Sequence, residues 1–273
     1  MGHWVTEWLS IKTTFLTFIV FVYYLPDAWH RSESYTVGYM NVRINYFLMP
    51  IIGFFLLLPR YGCAQIDEDR MGAWYMYFFN TTFKEGPWGA QGDIQYRNWN
   101  MAGDLEQLLL RGGITYKPQN ANIKMTLGYG NVTTGVYGTD DSTTAESRLY
   151  QEALFPVRFG RVHTHHRFRY EQRFVASQDF RTRYRYNLFI NIPLNRPAME
   201  KKSIYLALYN ELFINGQRAI GNGNQVEVFD RNRFYTALGY IIDDSLKIQL
   251  GIMNQTTDNW GKNQFQVSLH HEI

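Results

Sequence analysis

The sequence alternates between apolar and polar residues over most of its length, and this period of two constrains the fold more than any other feature. Between Trp74 and Ile273 the pattern recurs in segment after segment, as where Met125, Leu127 and Tyr129 are separated by single polar or small residues. Successive side chains of a β-strand point to opposite faces, so the period predicts strands with one apolar and one polar face. We therefore expect an all-β fold.

Eleven segments carry this pattern, and each has ten or more residues. They are 72–83, 88–99, 104–117, 122–131, 146–158, 162–175, 180–193, 203–214, 227–242, 245–256 and 263–273. Strands of soluble proteins are usually about five or six residues long, whereas tilted membrane strands need about 9–11. Strand length therefore predicts a transmembrane, antiparallel, up-and-down β-barrel of about 10–12 strands. Because single-chain bacterial barrels have even strand numbers, we expect ten or twelve.

The composition agrees with such a barrel and excludes several other classes. Aromatic residues make up 17% of the chain, which suits both strands and membrane interfaces. The mean hydropathy is −0.33, whereas a polytopic helical membrane protein would score clearly above zero. A net charge of only +3 predicts no nucleic-acid partner. Cys63 is the only cysteine, which excludes an intrachain disulfide and a zinc site built on several cysteines.

Residues 40–64 have the parts of a secretory signal peptide. Arg43 precedes an apolar run from Tyr46 to Leu58, and small residues precede an expected cut after Ala64. Two alternatives stay open at this stage, namely an uncleaved membrane anchor formed by the apolar run and a lipoprotein signal that uses Cys63. The signal-peptide interpretation predicts export.

The signal peptide divides the chain into three parts. We interpret residues 1–39 as a non-structural extension that precedes the true start of translation, and residues 65–273 as the exported barrel. The two longest polar connections, from Asn131 to Ala145 and from Asn215 to Gln225, are predicted to be external loops. The expected location is the bacterial outer membrane. The expected partners there are lipid, lipopolysaccharide and, during biogenesis, the barrel-assembly machinery.

Two neighbouring predicted strands have a strongly cationic face opposite a row of aromatic and aliphatic residues. The arginines of this face are Arg167, Arg169, Arg173, Arg181, Arg183 and Arg185. An arginine that faces lipid costs about 2–4 kcal/mol at the bilayer midplane. Several such arginines would together cost about as much as the stability of a whole domain. The arginine rows must therefore face the lumen of a membrane barrel, and the apolar rows must face lipid.

Further charged residues are expected to line the same lumen. The full set of lumen-lining candidates is Arg97, Arg111, Arg148, Glu152, Arg167, Arg169, Glu171, Arg173, Arg181, Arg183, Arg185, Glu211, Arg231 and Arg233. Cationic rings select anions in pores, which favours a small channel or a barrel that binds a small anionic solute. The alternative is a structural or assembly barrel closed by Arg–Glu pairs, because side chains can still fill a barrel of about this size.

Several sequence blocks resemble the domain-of-unknown-function 2490 family, which is common in Bacteroidota and is placed with outer-membrane barrels. The central blocks are His166 to Phe174 and Arg181 to Arg185. The others are Gly92 to Arg97, Gln107 to Arg111, Asn210 to Asn215, Phe229 to Arg233 and Gly239-Tyr240. The resemblance covers roughly residues 70–273 and implies a barrel, export and the outer membrane. It implies no activity.

Two sets of residues have side chains that could support chemistry. Ser268, His270 and Glu272 share a strand face, which raises the possibility of a lipid-modifying outer-membrane hydrolase. A nucleophile and its base must be in hydrogen-bond contact, however, and residues two apart on a strand are roughly 6.5 Å apart along the backbone. His163 and His165 also share a face, but a metal site needs a third ligand. We therefore assign no catalytic residue, metal or cofactor, and favour a role that is not enzymatic.

Overall fold

The computed structural model describes residues 70–84, 86–138 and 141–273. The proposed N-terminal extension and signal peptide, residues 1–64, lie outside the described residues. The strands are β1 (Gly72–Thr82), β2 (Trp88–Asn98), β3 (Leu105–Tyr116), β4 (Lys124–Gly135), β5 (Thr143–Phe159), β6 (Val162–Val175), β7 (Arg181–Pro193), β8 (Ile204–Asn215), β9 (Ala219–Gly221), β10 (Asn224–Gln225), β11 (Phe229–Ile241), β12 (Leu246–Thr256) and β13 (Gly261–Glu272). Within this described part, no helix could cross a membrane.

Eleven of these strands form one closed barrel, and β9 and β10 form a separate two-stranded ribbon. Strands that follow one another around the barrel pair antiparallel, as the alternation predicts, whereas β1 and β13 close the barrel by pairing in parallel. The all-β barrel is thus confirmed, but the expectation of ten or twelve strands is wrong. In an up-and-down barrel with an odd number of strands, the last strand runs in the same direction as the first, so the closing pair must be parallel.

The two ends of the barrel have different connections. We call the end that carries the β4–β5 and β8–β11 connections the long-loop end, and the opposite end the tight-turn end. β1 starts at the long-loop end and β13 finishes at the tight-turn end. At the tight-turn end, Asp243 accepts hydrogen bonds from the backbone N–H and the hydroxyl of Ser245. These bonds hold the pKa of the Asp243 carboxyl below its ordinary value.

Both predicted long loops are shorter or more ordered than the sequence suggests. β4 and β5 pair up to Gly135 and Thr143, so part of the expected loop from Asn131 to Ala145 belongs to the wall. The expected loop from Asn215 to Gln225 contains the ribbon of β9 and β10. Backbone pairing continues here because Thr133 and Thr144, which are β-branched, suit a strand despite their polarity.

Burial alternates with the predicted period of two. The buried row is polar and the exposed row is apolar, which is the reverse of the arrangement in a water-soluble protein. The apolar row of β4 (Met125, Leu127 and Tyr129) is exposed on the outer surface. The polar rows instead point into the barrel. Among the described residues, 28 polar or charged residues are buried against 14 hydrophobic ones, and 31 large hydrophobic residues are exposed. The barrel therefore has an apolar outside and a polar inside.

One side of the interior is nevertheless packed with apolar and aromatic side chains. This cluster comprises Trp74, Tyr205, Ala207, Tyr235, Ala237, Ile241 and Met253. The ring of Tyr205 lies directly over Gly239 of the neighbouring strand, where an added Cβ would come within 2.1 Å of the ring. Glycine is required at this position because a strand residue with any side chain would displace the tyrosine. The cluster fills the part of the interior that β8, β11 and β12 surround.

Candidate functional site

The charged interior is built from cross-strand pairs on β6 and β7. The register places Glu171 directly opposite Arg183, and Arg169 opposite Arg185. Opposite charges that face one another across two strands stabilise the pair, whereas like charges destabilise it. The Arg169–Arg185 pair is tolerated because each guanidinium reaches a carboxylate. Arg185 is hydrogen-bonded to Glu171 at 2.6 Å, and Arg169 is hydrogen-bonded to Glu152.

Glu171 is the central acceptor of this network. Its side chain is 1% exposed and accepts from Arg183 at 2.7 and 2.9 Å and from Arg185 at 2.6 Å. Arg169 lies 3.8 Å away. A carboxylate so deeply buried requires partners of this kind, because an uncompensated charge in the interior carries a large desolvation cost. Three arginines supply that compensation for one glutamate.

Two further glutamates extend the network around the wall, from β5 to β8. Glu211 of β8 accepts from Arg185 at 2.5 and 2.9 Å and from Arg167 at 2.8 Å. Glu152 of β5 accepts from Arg169 at 2.5 and 2.7 Å. Four neighbouring strands are therefore connected through side chains as well as through the backbone.

Two more ion pairs lie in the same interior. Glu146 accepts two bonds from Arg148, both 2.7 Å long, and two from Arg173, at 2.5 and 3.0 Å. Between β2 and β3, Arg111 donates to both carboxylate oxygens of Asp93 at 2.8–3.1 Å. Such bidentate pairs are geometrically matched and stronger than neutral hydrogen bonds. The ion pairs of Asp93 and these four glutamates thus involve residues of six strands, β2, β3 and β5 to β8.

Irregular pairing brings two additional carboxylates into the interior. The register of β11 against β8 shifts between Phe229 and Arg231, and Asp230 lies at this shift. Its carboxylate accepts from Arg183 at 2.8 Å and from the adjacent Arg231 at 3.2 Å. A β-bulge lets neighbouring residues point to the same side, which strict alternation forbids. Glu106 lies beside the corresponding shift between β2 and β3.

Three interior arginines, Arg97, Arg181 and Arg233, have no carboxylate within ion-pair distance in the described part of the chain. Arg97 donates to the side-chain oxygens of Gln95 and Gln107, and its guanidinium carbon lies 3.7 Å from the centre of the Trp74 ring. Arg233 donates to a glutamine amide oxygen and lies 4.8 Å from the same ring. The face of an aromatic ring attracts a cation but does not neutralise its positive charge.

A cavity of about 40 Å³ lies among these side chains, in the half of the barrel nearer the long-loop end. We call it the arginine cavity. Its lining consists of Arg97, Gln107, Leu109, Arg111, Arg148, Arg173, Arg183, Arg185, Phe213, Arg231 and Arg233. Eight of these residues are arginines, and no carboxylate is among them. The cavity is small for a drug-sized ligand, because pockets for such molecules measure about 300–1,000 Å³.

The structure places the fourteen sequence-predicted residues inside the barrel. Those that belong to the ion-pair network are Arg111, Arg148, Glu152, Arg167, Arg169, Glu171, Arg173, Arg183, Arg185, Glu211 and Arg231. Arg97 and Arg233 bind glutamines instead. Arg181 is 8% exposed, and its Nε has no hydrogen-bond partner. Eight of the fourteen also line the arginine cavity.

Sequence reasoning missed several members of the site. Glu146 lies two residues before Arg148 on the same face, so the period of two could have identified it. Asp230 and Glu106 could not be found this way, because bulges interrupt the period at both positions. Trp74 and Phe213 resemble ordinary apolar residues in sequence, yet both face arginine guanidiniums in the interior.

The residues considered for catalysis are only partly brought together. The hydroxyl of Ser268 lies 3.0 Å from Nε2 of His270, so this pair is in hydrogen-bond contact. In a catalytic triad, a carboxylate orients the imidazole. The carboxylate of Glu272 instead accepts a 2.6 Å hydrogen bond from Asn80. The ring of His270 stacks on Phe78. Ser268 and His270 therefore form a packed polar contact at the tight-turn end.

The histidines of β6 likewise are not arranged as a set of metal ligands. Across the described residues, no group of three or more His, Cys, Asp and Glu side chains is placed to hold a metal ion. His163 lies opposite Asn191 and Arg158 in the sheet, and His166 is hydrogen-bonded to the Tyr186 hydroxyl at 2.8 Å.

Together, the closed wall and the charged interior define a β-barrel protein with an apolar exterior. The sequence matches the family described as "Protein of unknown function (DUF2490)" over residues 71–266, a span of 196 residues out of 273. The chain therefore belongs to the DUF2490 family, and the family resemblance found in the sequence blocks is confirmed. No curated protein matches the sequence.

Proposed function

We propose that this protein is an outer-membrane β-barrel whose lumen is closed by its network of arginines and carboxylates, and that it acts as a structural or assembly barrel rather than as an open pore. The single observation that carries the proposal is the reversed polarity of the wall. Water would stabilise a charged exterior and an apolar core, whereas this barrel has an apolar exterior and a charged core. Lipid is the solvent in which that arrangement is stable.

The outer surface supports this proposal in detail. Aliphatic residues such as Leu127, Leu238 and Leu250 are 62%, 58% and 49% exposed on the wall. Aromatic residues are exposed near both ends of the barrel. They include Tyr75, Tyr96, Phe174, Phe180 and Tyr184 near the long-loop end, and Phe83, Trp88, Phe155, Phe159 and Tyr240 near the tight-turn end. Membrane barrels carry aromatic girdles at both interfaces around an apolar band about 25 Å tall.

The ion pairs favour a closed lumen over an anion-selective channel. Partners on different strands occupy the interior, and the arginine cavity between them measures only about 40 Å³. A conducting pore would need a continuous aqueous path past these groups. The excess of arginines over carboxylates still favours the channel hypothesis. A conductance measurement distinguishes a channel from a closed lumen.

The proposal includes the export route and the source of the protein. A signal peptide cut after Ala64 would deliver residues 65–273 to the barrel-assembly machinery of a Gram-negative bacterium, in keeping with a family resemblance to Bacteroidota proteins. Lipid and lipopolysaccharide would then surround the apolar wall.

Conductance in a planar lipid bilayer tests the closed lumen. We expect the protein, refolded in detergent and verified by a β-type circular dichroism spectrum, to insert without producing a steady single-channel current. The physical reason is that each central carboxylate is held by two or more arginines that would have to separate to open a path.

The control is a variant that removes two interior side chains at once, Arg183→Ala with Arg185→Ala, which should produce current if the assay detects open barrels. A steady, anion-selective current from the unmodified protein would instead establish the channel and refute the closed lumen.

A further inference from the structure

The arginine cavity concentrates positive charge beyond what its surroundings neutralise. Six of its eight arginines form ion pairs with five carboxylates, which are Asp93, Glu146, Glu171, Glu211 and Asp230. Three of these five, Glu146, Glu171 and Asp230, each hold two cavity arginines, and Glu211 also pairs with Arg167, outside the cavity. At least three cationic charges around the cavity therefore have no negative partner of their own.

Arg97 and Arg233 account for most of this excess. They are 4% and 6% exposed, and glutamine amide oxygens are their hydrogen-bond acceptors. Glu106 is buried near them, but its carboxylate accepts from Trp74 Nε1 and the Gln264 amide. Two buried guanidiniums without an anionic partner are costly to the folded state, because desolvation is not repaid by an opposite charge. An anion in the cavity would supply this opposite charge.

Arg231 provides a donor that is free for such an anion and indicates a route of access. Its Nε is buried and has no hydrogen-bond partner, although the residue lines the cavity. Its side chain as a whole is 25% exposed, so the cavity approaches solvent on the side of the long-loop end where β11 begins. Arg231 therefore lies between the cavity and solvent at the long-loop end.

The size of the cavity limits the class of ligand. One water molecule needs a cavity volume of about 10–15 Å³. A cavity of about 40 Å³ therefore accommodates a few waters or one small inorganic ion. Sugars, nucleotides and lipid headgroups with their chains are too large. Guanidinium groups match pairs of oxygens on a tetrahedral anion, because their N–H donors form a rigid planar fork. We propose that the arginine cavity binds one inorganic oxyanion of the phosphate or sulfate type.

Equilibrium dialysis of the full-length protein, refolded in detergent, against radiolabelled inorganic phosphate tests this directly. The expected result is saturable binding of one phosphate per barrel, displaced by sulfate and not by chloride at the same ionic strength. Binding that fails to saturate, or that chloride abolishes equally well, would overturn the proposal, since it would reflect a diffuse attraction to positive charge.

Two substitutions locate the site. Arg97→Gln and Arg233→Gln should each lower the affinity for phosphate at least tenfold, roughly the effect of removing one charged partner from a buried site. Both variants are expected to fold, because neither removal leaves a carboxylate without its partner. Arg196→Gln, at a partly exposed position in the β7–β8 connection, is the matched control and should bind phosphate as the unmodified protein does. Unchanged affinity in both interior variants would contradict the assignment.

The oxyanion site goes beyond the proposed function and requires only the folded barrel. Its failure is therefore distinguishable from failure of the closed lumen. A barrel that conducts current and still binds phosphate refutes closure alone, whereas a barrel that neither conducts nor binds phosphate refutes the oxyanion site alone.

Discussion

Replacing Glu171 by alanine is expected to lower the free energy of unfolding of the barrel by about 3–5 kcal/mol. The carboxylate is 1% exposed and holds Arg183 and Arg185 at 2.6–2.9 Å, with Arg169 at 3.8 Å. Removal leaves these buried guanidiniums facing one another without the anion between them. The loss should therefore exceed that of an ordinary side-chain truncation, which costs about 0.5–3 kcal/mol.

The measurement is denaturant unfolding of the refolded barrel in detergent or lipid. The matched control is Glu200→Ala, which breaks the Arg196–Glu200 pair, whose side chains are 41% and 49% exposed. Because water already solvates that pair, its loss should cost less than about 1 kcal/mol. Equal midpoints for Glu171→Ala and the unmodified protein would mean that water fills the lumen and screens its charges.

Introducing an arginine on the outer wall is expected to have the second large effect. Leu250 is 49% exposed near the middle of β12, and its cross-strand neighbours are Leu238 and Val267. In a bilayer, Leu250→Arg should cost about 2–4 kcal/mol, because the guanidinium must leave water for hydrocarbon. At an exposed position of a water-soluble barrel, the same substitution should change stability by no more than about 0.5 kcal/mol.

Unfolding in lipid vesicles measures this difference. Asn259→Arg, in the exposed connection between β12 and β13, places the same charge beyond the wall and should be nearly neutral. If Leu250→Arg proves as harmless as Asn259→Arg, the apolar face of the barrel does not contact lipid.

Much of the fold could be predicted because one physical pattern repeats through the wall. The period of two locates all eleven wall strands within a few residues, and it places Met125 and Leu127 on one face and Arg183 and Arg185 on the other. The even number of strands could not be derived from this pattern. An even number is the general behaviour of single-chain bacterial barrels, whereas parallel closure depends on which strand edges meet in the folded chain.

The site was less predictable because its partners are distant in sequence. Alternation identifies which arginines share a face, but it does not reveal which carboxylate each one reaches. Glu171 and Arg183 are neighbours through the β6–β7 hairpin, whose register the short turn fixes. Glu211 meets Arg167 across the intervening strand β7, where Asn187 lies in register with both, so this contact depends on the registers of two successive strand pairs.

Bulges hide a further part of the site. Asp230 reaches Arg183 because the register of β11 shifts beside it, and a strict alternation would send its side chain outward. Local irregularities of this kind are set by the strand pairing around them, which a single sequence does not display.

Heat modifiability of the refolded full-length protein tests the central claim, a closed barrel stable in a membrane, most directly. The sample is run on a denaturing gel with and without boiling after refolding in detergent. We expect two bands of different mobility, because the wall and its ion-pair network resist the gel detergent until heat separates them. A single mobility under both conditions, from protein that is fully soluble and folded in plain buffer, would contradict it.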